Sequence, residues 1–243
     1  MTRRMMIAGN WKLHTSLDEA LGLARQVWDA VADVADRDLV VAPPYPYLHA
    51  VASALADSNV AVGAQELFHE DVGAWTGAVS APMLESVGCR YVLVGHSERR
   101  QHFGESDESA NKRVHAALRT RLIPILCVGE TLSQRENGET ESVVVAQARR
   151  GLEGVPVESQ ARMIIAYEPV WAIGTGKVAS PAQAQAVHAA IRAELPSSET
   201  RILYGGSVKP GNAGELFSQP DIDGGLVGGA SLKAEDFASI AKA

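Results

Sequence analysis

The chain is poor in the features that mark secreted, membrane-bound or nucleic-acid-binding proteins. Cys89 and Cys127 are the only cysteines among 243 residues, and they lack metal-type spacing. Each lies beside or within an apolar run, which points to buried, reduced thiols and a cytosolic setting. No apolar stretch approaches the roughly 18–20 residues of a membrane span. Two arginines precede the run Met5-Met6-Ile7, but Asn10 and Lys12 interrupt it and no small-residue cleavage site follows, so no signal peptide is expected. Positive charge is in deficit: 22 Lys and Arg against 29 Asp and Glu give a net charge of −7. That balance argues against nucleic acid as a partner. A small anion is not excluded, because it responds to local dipoles and nearby lysines. No Gly/Ser-rich linker divides the chain, and residues 1–243 are expected to form one domain.

What is present is a repeating alternation. Short apolar runs occur at 5–8, 39–42, 60–62, 91–94, 123–128, 163–166, 202–204 and 225–227. Each is continuous, as in strands buried on both faces of a parallel sheet. Ala-rich segments with helical spacing lie between them. One runs from Leu17 to Val34, with Leu17, Ala20, Leu21, Ala24, Val27, Trp28 and Val31 on one stripe; others cover 111–118, 143–152 and 183–195. Eight βα units in a chain of this length predict an α/β fold, a closed (β/α)8 barrel. A doubly wound open sheet is the runner-up, but it calls for G-x-G-x-x-G after the first strand, where this chain has Gly9-Asn10-Trp11-Lys12.

In a barrel the chemistry sits where strands end. The strongest such signal is 167–177. An apolar strand runs into Glu168, Pro169 stops the ladder, and Gly174-Thr175-Gly176-Lys177 leads to Ser180-Pro181-Ala182-Gln183, which has the pattern of a helix cap. The connection spans about a dozen residues, where about 2–6 are usual. A carboxylate beneath such a loop reads as a base under a lid. Strand 1 ends in Asn10 and Lys12, an amide and a cation suited to an anionic substrate or simply a turn with a solvated lysine. Strand 3 ends in Gln65 before a long loop, 66–79, whose Val72, Ala74 and Trp75 suit either a flexible excursion or a partner contact. Strand 4 ends in His96, ahead of a helix expected to be capped by Ser97, with Glu98 in its first turn. Helix-start amides disfavour imidazolium, so a neutral ring is expected. Strand 5 ends in Cys127-Val128-Gly129-Glu130-Thr131, read as a packed thiol and a capped helix. Strands 7 and 8 end in Gly205-Gly206-Ser207 and Gly228-Gly229, where glycine lets backbone amides approach a ligand phosphate, although two tight turns would also use it. There is no Asp/Glu/His cluster for a metal, no nucleophile elbow and no strand-6 lysine for a Schiff base.

These segments, with Ala42-Pro43-Pro44, Trp75-Thr76-Gly77, 94–100, 204–208 and 226–231 in order, are similar to the triosephosphate isomerase family over essentially the whole chain. The resemblance implies a TIM barrel that interconverts dihydroxyacetone phosphate and glyceraldehyde 3-phosphate without a cofactor. It implies a glutamate base, a neutral histidine electrophile and a closing loop, roles for which that family is itself a standard example. Glu168 would be the base and His96 the electrophile. Lys12 and Asn10 would stabilise the enediolate and hold substrate, and Glu98 would support Lys12. Gly174, Ser207, Gly228 and Gly229 would grip the phosphate, and Cys127 would pack near the base. The loop around Trp75-Thr76-Gly77 would form a homodimer, Thr76 reaching toward the neighbour's site. The chain departs from the family where Ala78 replaces the usual glutamate, removing a carboxylate partner for Arg99. A non-catalytic phosphosugar-binding barrel and a barrel lyase or aldolase stand as other readings.

Overall fold

Eight parallel strands close into a barrel in the computed structural model, which describes residues 3–173 and 178–243. The strands are β1 (Met6–Asn10), β2 (Asp38–Ala42), β3 (Val60–Ala64), β4 (Tyr91–Val94), β5 (Ile123–Val128), β6 (Ile164–Tyr167), β7 (Arg201–Tyr204) and β8 (Gly224–Val227). Each pairs with its neighbours in sequence, and β1 joins β8 with Met6 opposite Gly224. The helices around them are α1 (Leu17–Val31), α2 (Leu48–Ala54), α3 (Ala81–Ser86), α4 (Ser97–Phe103), α5 (Asp107–Leu118), α6 (Leu132–Glu136), α7 (Thr140–Gly151), α8 (Val157–Gln160), α9 (Pro181–Glu194), α10 (Ala213–Phe217) and α11 (Ala234–Ala241).

The apolar runs read as continuous because both faces of every strand are buried. Alternate residues separate into two cores. Met6, Ala8, Val40, Tyr91, Leu93, Ile125, Cys127, Ile164, Ala166, Leu203 and Leu226 fill the barrel interior. Their neighbours, among them Ile7, Val41, Val62, Val92, Leu126, Ile165 and Ile202, face the helix layer.

Five of these helices, α1, α4, α5, α6 and α9, start on a side-chain cap. Ser180 and Gln183 form the expected capping box, with Pro181 in the first turn, and Thr131 with Gln134 forms another. Two expectations shift. Helix α5 starts at Asp107 rather than 111, because Ser106 and Ser109 close a capping box there. In α1 the buried stripe is Ala20, Leu23, Ala24, Val27 and Val31, while Leu17 is 44% exposed. Ser16 sets the first turn, which places Leu17 on the solvent side.

Ion pairs, buried at Asp223 and more open at Asp38, close the amino-terminal end of the barrel. Asp223 takes Arg3 Nε at 2.7 Å and Arg192 Nη2 at 2.6 Å, and it accepts from the Ile202 amide at 2.8 Å. Asp38 pairs with Arg201 at 2.6 Å and Arg4 at 2.8 Å. The chemistry-bearing tips lie at the opposite end. No described helix is long and apolar enough to cross a membrane.

Near the tips of β6 and β7, fully buried His188 packs edge-on against Tyr167, ring centroids 5.8 Å apart, and lies 6.3 Å from Tyr204. Its Nδ1–H donates to the Asp221 carbonyl at 3.2 Å. Burial pushes its pKa down to about 3. The unfolded chain therefore takes up a proton below about pH 6.5 that the folded chain refuses until about pH 3. Stability is full above the unfolded pKa and falls as the pH drops through that window, by up to about 1.4 kcal/mol per pH unit from this group. In urea titrations from pH 7 to 4, His188→Gln should lose stability less steeply than the parent; parallel curves would show that His188 is not the source.

Candidate active site

Pro169 ends the β6 ladder one residue after Glu168, whose own amide still donates to Val128 at 2.7 Å. The Glu168 side chain, 2% exposed, points toward the tip of β4. One carboxylate oxygen accepts from the Ser97 amide at 2.8 Å, and the other lies 2.9 Å from His96 Nε2. Two glycines make room for it. A Cβ on Gly129 would lie 1.7 Å from the Glu168 carbonyl, and one on Gly205 would lie 2.8 Å from Glu168 Cγ.

The cap of α4 is His96, not Ser97. The imidazole Nδ1 accepts from the Glu98 amide at 3.3 Å, which leaves the Ser97 amide for Glu168. Sequence preference favours serine at a cap, but the ring takes the position because β4 delivers it there with extended backbone. The same bond leaves Nε2 to carry the ring proton toward Glu168. Burial disfavours a charged ring, yet the adjacent Glu168 carboxylate raises the His96 pKa. Burial likewise penalises the Glu168 carboxylate, but His96 and the Ser97 amide together hold its pKa below the ordinary value.

The tip of β1 reaches the same place. Asn10 Nδ2 lies 3.4 Å from His96 Nε2, and Asn10 Oδ1 accepts from the Lys12 amide at 3.0 Å. Lys12 has a left-handed backbone, φ 51°, and its Nζ meets Glu98 Oε1 at 2.5 Å. Gln65, read from sequence only as a strand tip, donates to the Lys12 carbonyl at 2.8 Å and to Ala42 at 2.9 Å. Its signal was a long amide at a strand end, which turn chemistry alone does not require.

A cleft of about 480 Å³ opens over these groups. Asn10, Lys12, His96 and Glu168 line it together with Ser207, Gly228 and Gly229, and a Cβ on Gly228 would lie 3.3 Å from Lys12 Cε. Lys209, Lys233 and Asp236 at the rim were not among the expected residues; on the sequence they are ordinary surface charges. The glycine pairs differ. Gly206 is forced by the Tyr204 hydroxyl, 2.3 Å from a built Cβ, whereas Gly229 has open space above it. Gly174 and the glycine end of the loop, 174–177, lie outside the described residues.

Two further buried groups surround the base. Cys127 is sealed in the barrel interior, where burial pushes its thiol pKa well up. Glu130, fully buried, accepts from Trp171 Nε1 at 2.8 Å and Tyr167 Oη at 3.1 Å, and it pairs with Arg135 at 3.2 Å. Nothing in the local residue pattern marks this acid as internal. Among the described residues no group of three His, Cys, Asp or Glu is arranged to hold a metal ion. Arg99 is not left short of a partner by Ala78. It bonds Glu105 at 2.6 Å and lies 3.9 Å from Glu66 in the same chain.

A carboxylate and an imidazole in contact at the carboxyl ends of barrel strands, beside a lysine, define a (β/α)8-barrel enzyme equipped for proton transfer. Residues 5–243 match a family model described as Triosephosphate isomerase. Relatives named triosephosphate isomerase share 54% identity in Chloroflexus aurantiacus, over 97% of each chain, and 54% in Rhodopirellula baltica, over 100% of this chain and 98% of the relative. A third, from Moorella thermoacetica, is 53% identical over 98% of each. The chain belongs to the triosephosphate isomerase family.

The contact between Gly129 and Glu168 gives a direct test. Gly129→Ala should lower stability by about 3 kcal/mol, since the clash is with backbone that cannot swing away. Thermal unfolding measures it, and an unchanged midpoint would show that the two tips stand farther apart.

Proposed function

We propose that the chain interconverts dihydroxyacetone phosphate and D-glyceraldehyde 3-phosphate through an enediolate. The observation that carries this reading is the contact between Glu168 and His96, 2.9 Å, with Lys12 lining the same cleft. Glu168 removes the proton from the carbon beside the carbonyl and returns it to the neighbouring carbon. His96 donates from Nε2 to the carbonyl oxygen and relays the hydroxyl protons. A neutral ring serves this best. Its basicity is raised by the Glu168 carboxylate, so turning that carboxylate toward substrate favours the neutral form. Asn10 and Lys12 stabilise the developing oxyanion, where a preorganised donor contributes about 2.7–4 kcal/mol. Glu98 holds Lys12 in place.

Ser207, Gly228 and Gly229 would bind the phosphate, with Gly174 from the loop above. The open space at Gly229 supports this. A closed loop would keep water from the enediolate and restrain phosphate loss.

The second copy of the chain enters through loop 66–79. Val72 and Trp75 there, with Leu13 and Phe103, are large apolar side chains left exposed on a single chain. A two-fold homodimer would cover them, placing Thr76 near the neighbouring site. We take residues 1–243 as one working domain. Cytosolic residence fits two thiols, neither of them in a disulfide.

Glu168→Gln should lower kcat by about 10²–10⁴ with the fold retained, in a coupled assay with glyceraldehyde 3-phosphate. Near-normal turnover would remove Glu168 as the base. Sedimentation at micromolar concentration should give two 25.8 kDa chains per particle, and a fully active monomer would contradict the docking of loop 66–79.

A further inference from the structure

Helix α4 is seven residues long, yet His96, Ser97 and Glu98 at its start touch Glu168 and Lys12. A helix this short is not stable alone, so its register depends on tertiary ties. Two consecutive arginines supply them. Arg100 reaches the Gly95 carbonyl at 2.7 Å, the Cys127 carbonyl at 3.2 Å and Asp107 at 2.5 Å.

Arg99 enters a separate charged cluster. Its Nε meets Glu105 Oε1 at 2.6 Å, and the same oxygen lies 3.4 Å from Arg113 Nη2. Arg113 Nε is 3.8 Å from Glu66 Oε2, which is 3.9 Å from Arg99 Nη2. Two acids and two bases thus alternate around a closed ring. It joins the loop after β3, helix α4, the α4–α5 connection and α5. The side chains are largely buried, Glu105 to 3% exposure and Glu66 to 16%.

Two guanidinium groups sharing Glu105 alone would leave one positive charge unbalanced in this setting. Glu66 balances it. At 3.8–3.9 Å it acts by charge rather than by hydrogen bonding. Its backbone is fixed for the purpose. The Tyr45 hydroxyl donates to the Glu66 carbonyl at 2.6 Å, and Arg113 Nε donates to the Leu67 carbonyl at 2.8 Å.

We propose that Glu66 is a positioning residue for the isomerisation: by balancing this ring it fixes α4, and through the Ser97 amide and Glu98 it places Glu168 and Lys12. This rests on the functional reading above. Glu66 itself lies outside the set of residues lining the cleft.

Glu66→Gln keeps the shape and removes the charge. Because a misplacement of about 1 Å at a reacting group costs about 10²-fold, kcat should fall about tenfold, with KM changed less than about threefold. Adding Arg113→Gln removes one cation and restores the balance as a single Arg99–Glu105 pair. The double variant should therefore recover kcat to within about threefold of the parent, which a residue that only adds stability would not do. A folded Glu66→Gln variant with parental kcat overturns the proposal, and so does a double variant no better than the single one. If Glu66→Gln does not fold, the double variant decides alone: folded and active supports the proposal, inactive overturns it. Turnover by the parent in the same assay is the separate test of the functional reading, and a parent without it overturns both.

Discussion

A carboxylate with almost no access to water is tolerable only when donors meet it, and the site is organised around that requirement. Glu168 is answered by one backbone amide and one imidazole, both from the junction of β4 and α4. The arrangement leaves the acid ionised without a permanent cation against it. A lysine in that place would lock the carboxylate, whereas an imidazole and an amide hold it and can release it. Lys12, which lines the same cleft, is engaged by Glu98 instead. Because the donors come from consecutive residues, any movement of α4 moves both together.

The barrel separates duties along its axis. At the amino-terminal end, Asp38 and Asp223 tie β1, β2, β7 and β8 through arginines. At the other end the strand tips are crowded with glycine, and backbone passes close enough that a single methyl would collide. Glycine there serves two ends. Gly129, Gly205 and Gly206 let the protein pack against itself, and Gly229 leaves room for something else.

The fold was legible because strands buried on both faces leave continuous apolar runs, and a closed barrel produces eight of them. Glu168, His96, Lys12 and Asn10 were legible because each interrupts or ends such a run with a polar group. The rest was hidden for identifiable reasons. His96 displaces Ser97 as the cap because strand geometry outweighs local preference. Leu17 turns outward because the cap at Ser16 fixes the phase of α1. Nothing local marks Glu66, Glu105 and Glu130 as internal, since the partners that hold them are 5 to 47 residues away.

The sealing of Cys127 beneath the base bears on chemical durability. Peroxide and disulfide exchange attack thiolates, and burial keeps this sulfur protonated and out of reach. Cys89 is similarly withdrawn, its pKa pushed up to about 12. Burial thus withholds from both sulfurs the thiolate form that oxidants attack, more completely at Cys127, with no exposed surface, than at Cys89.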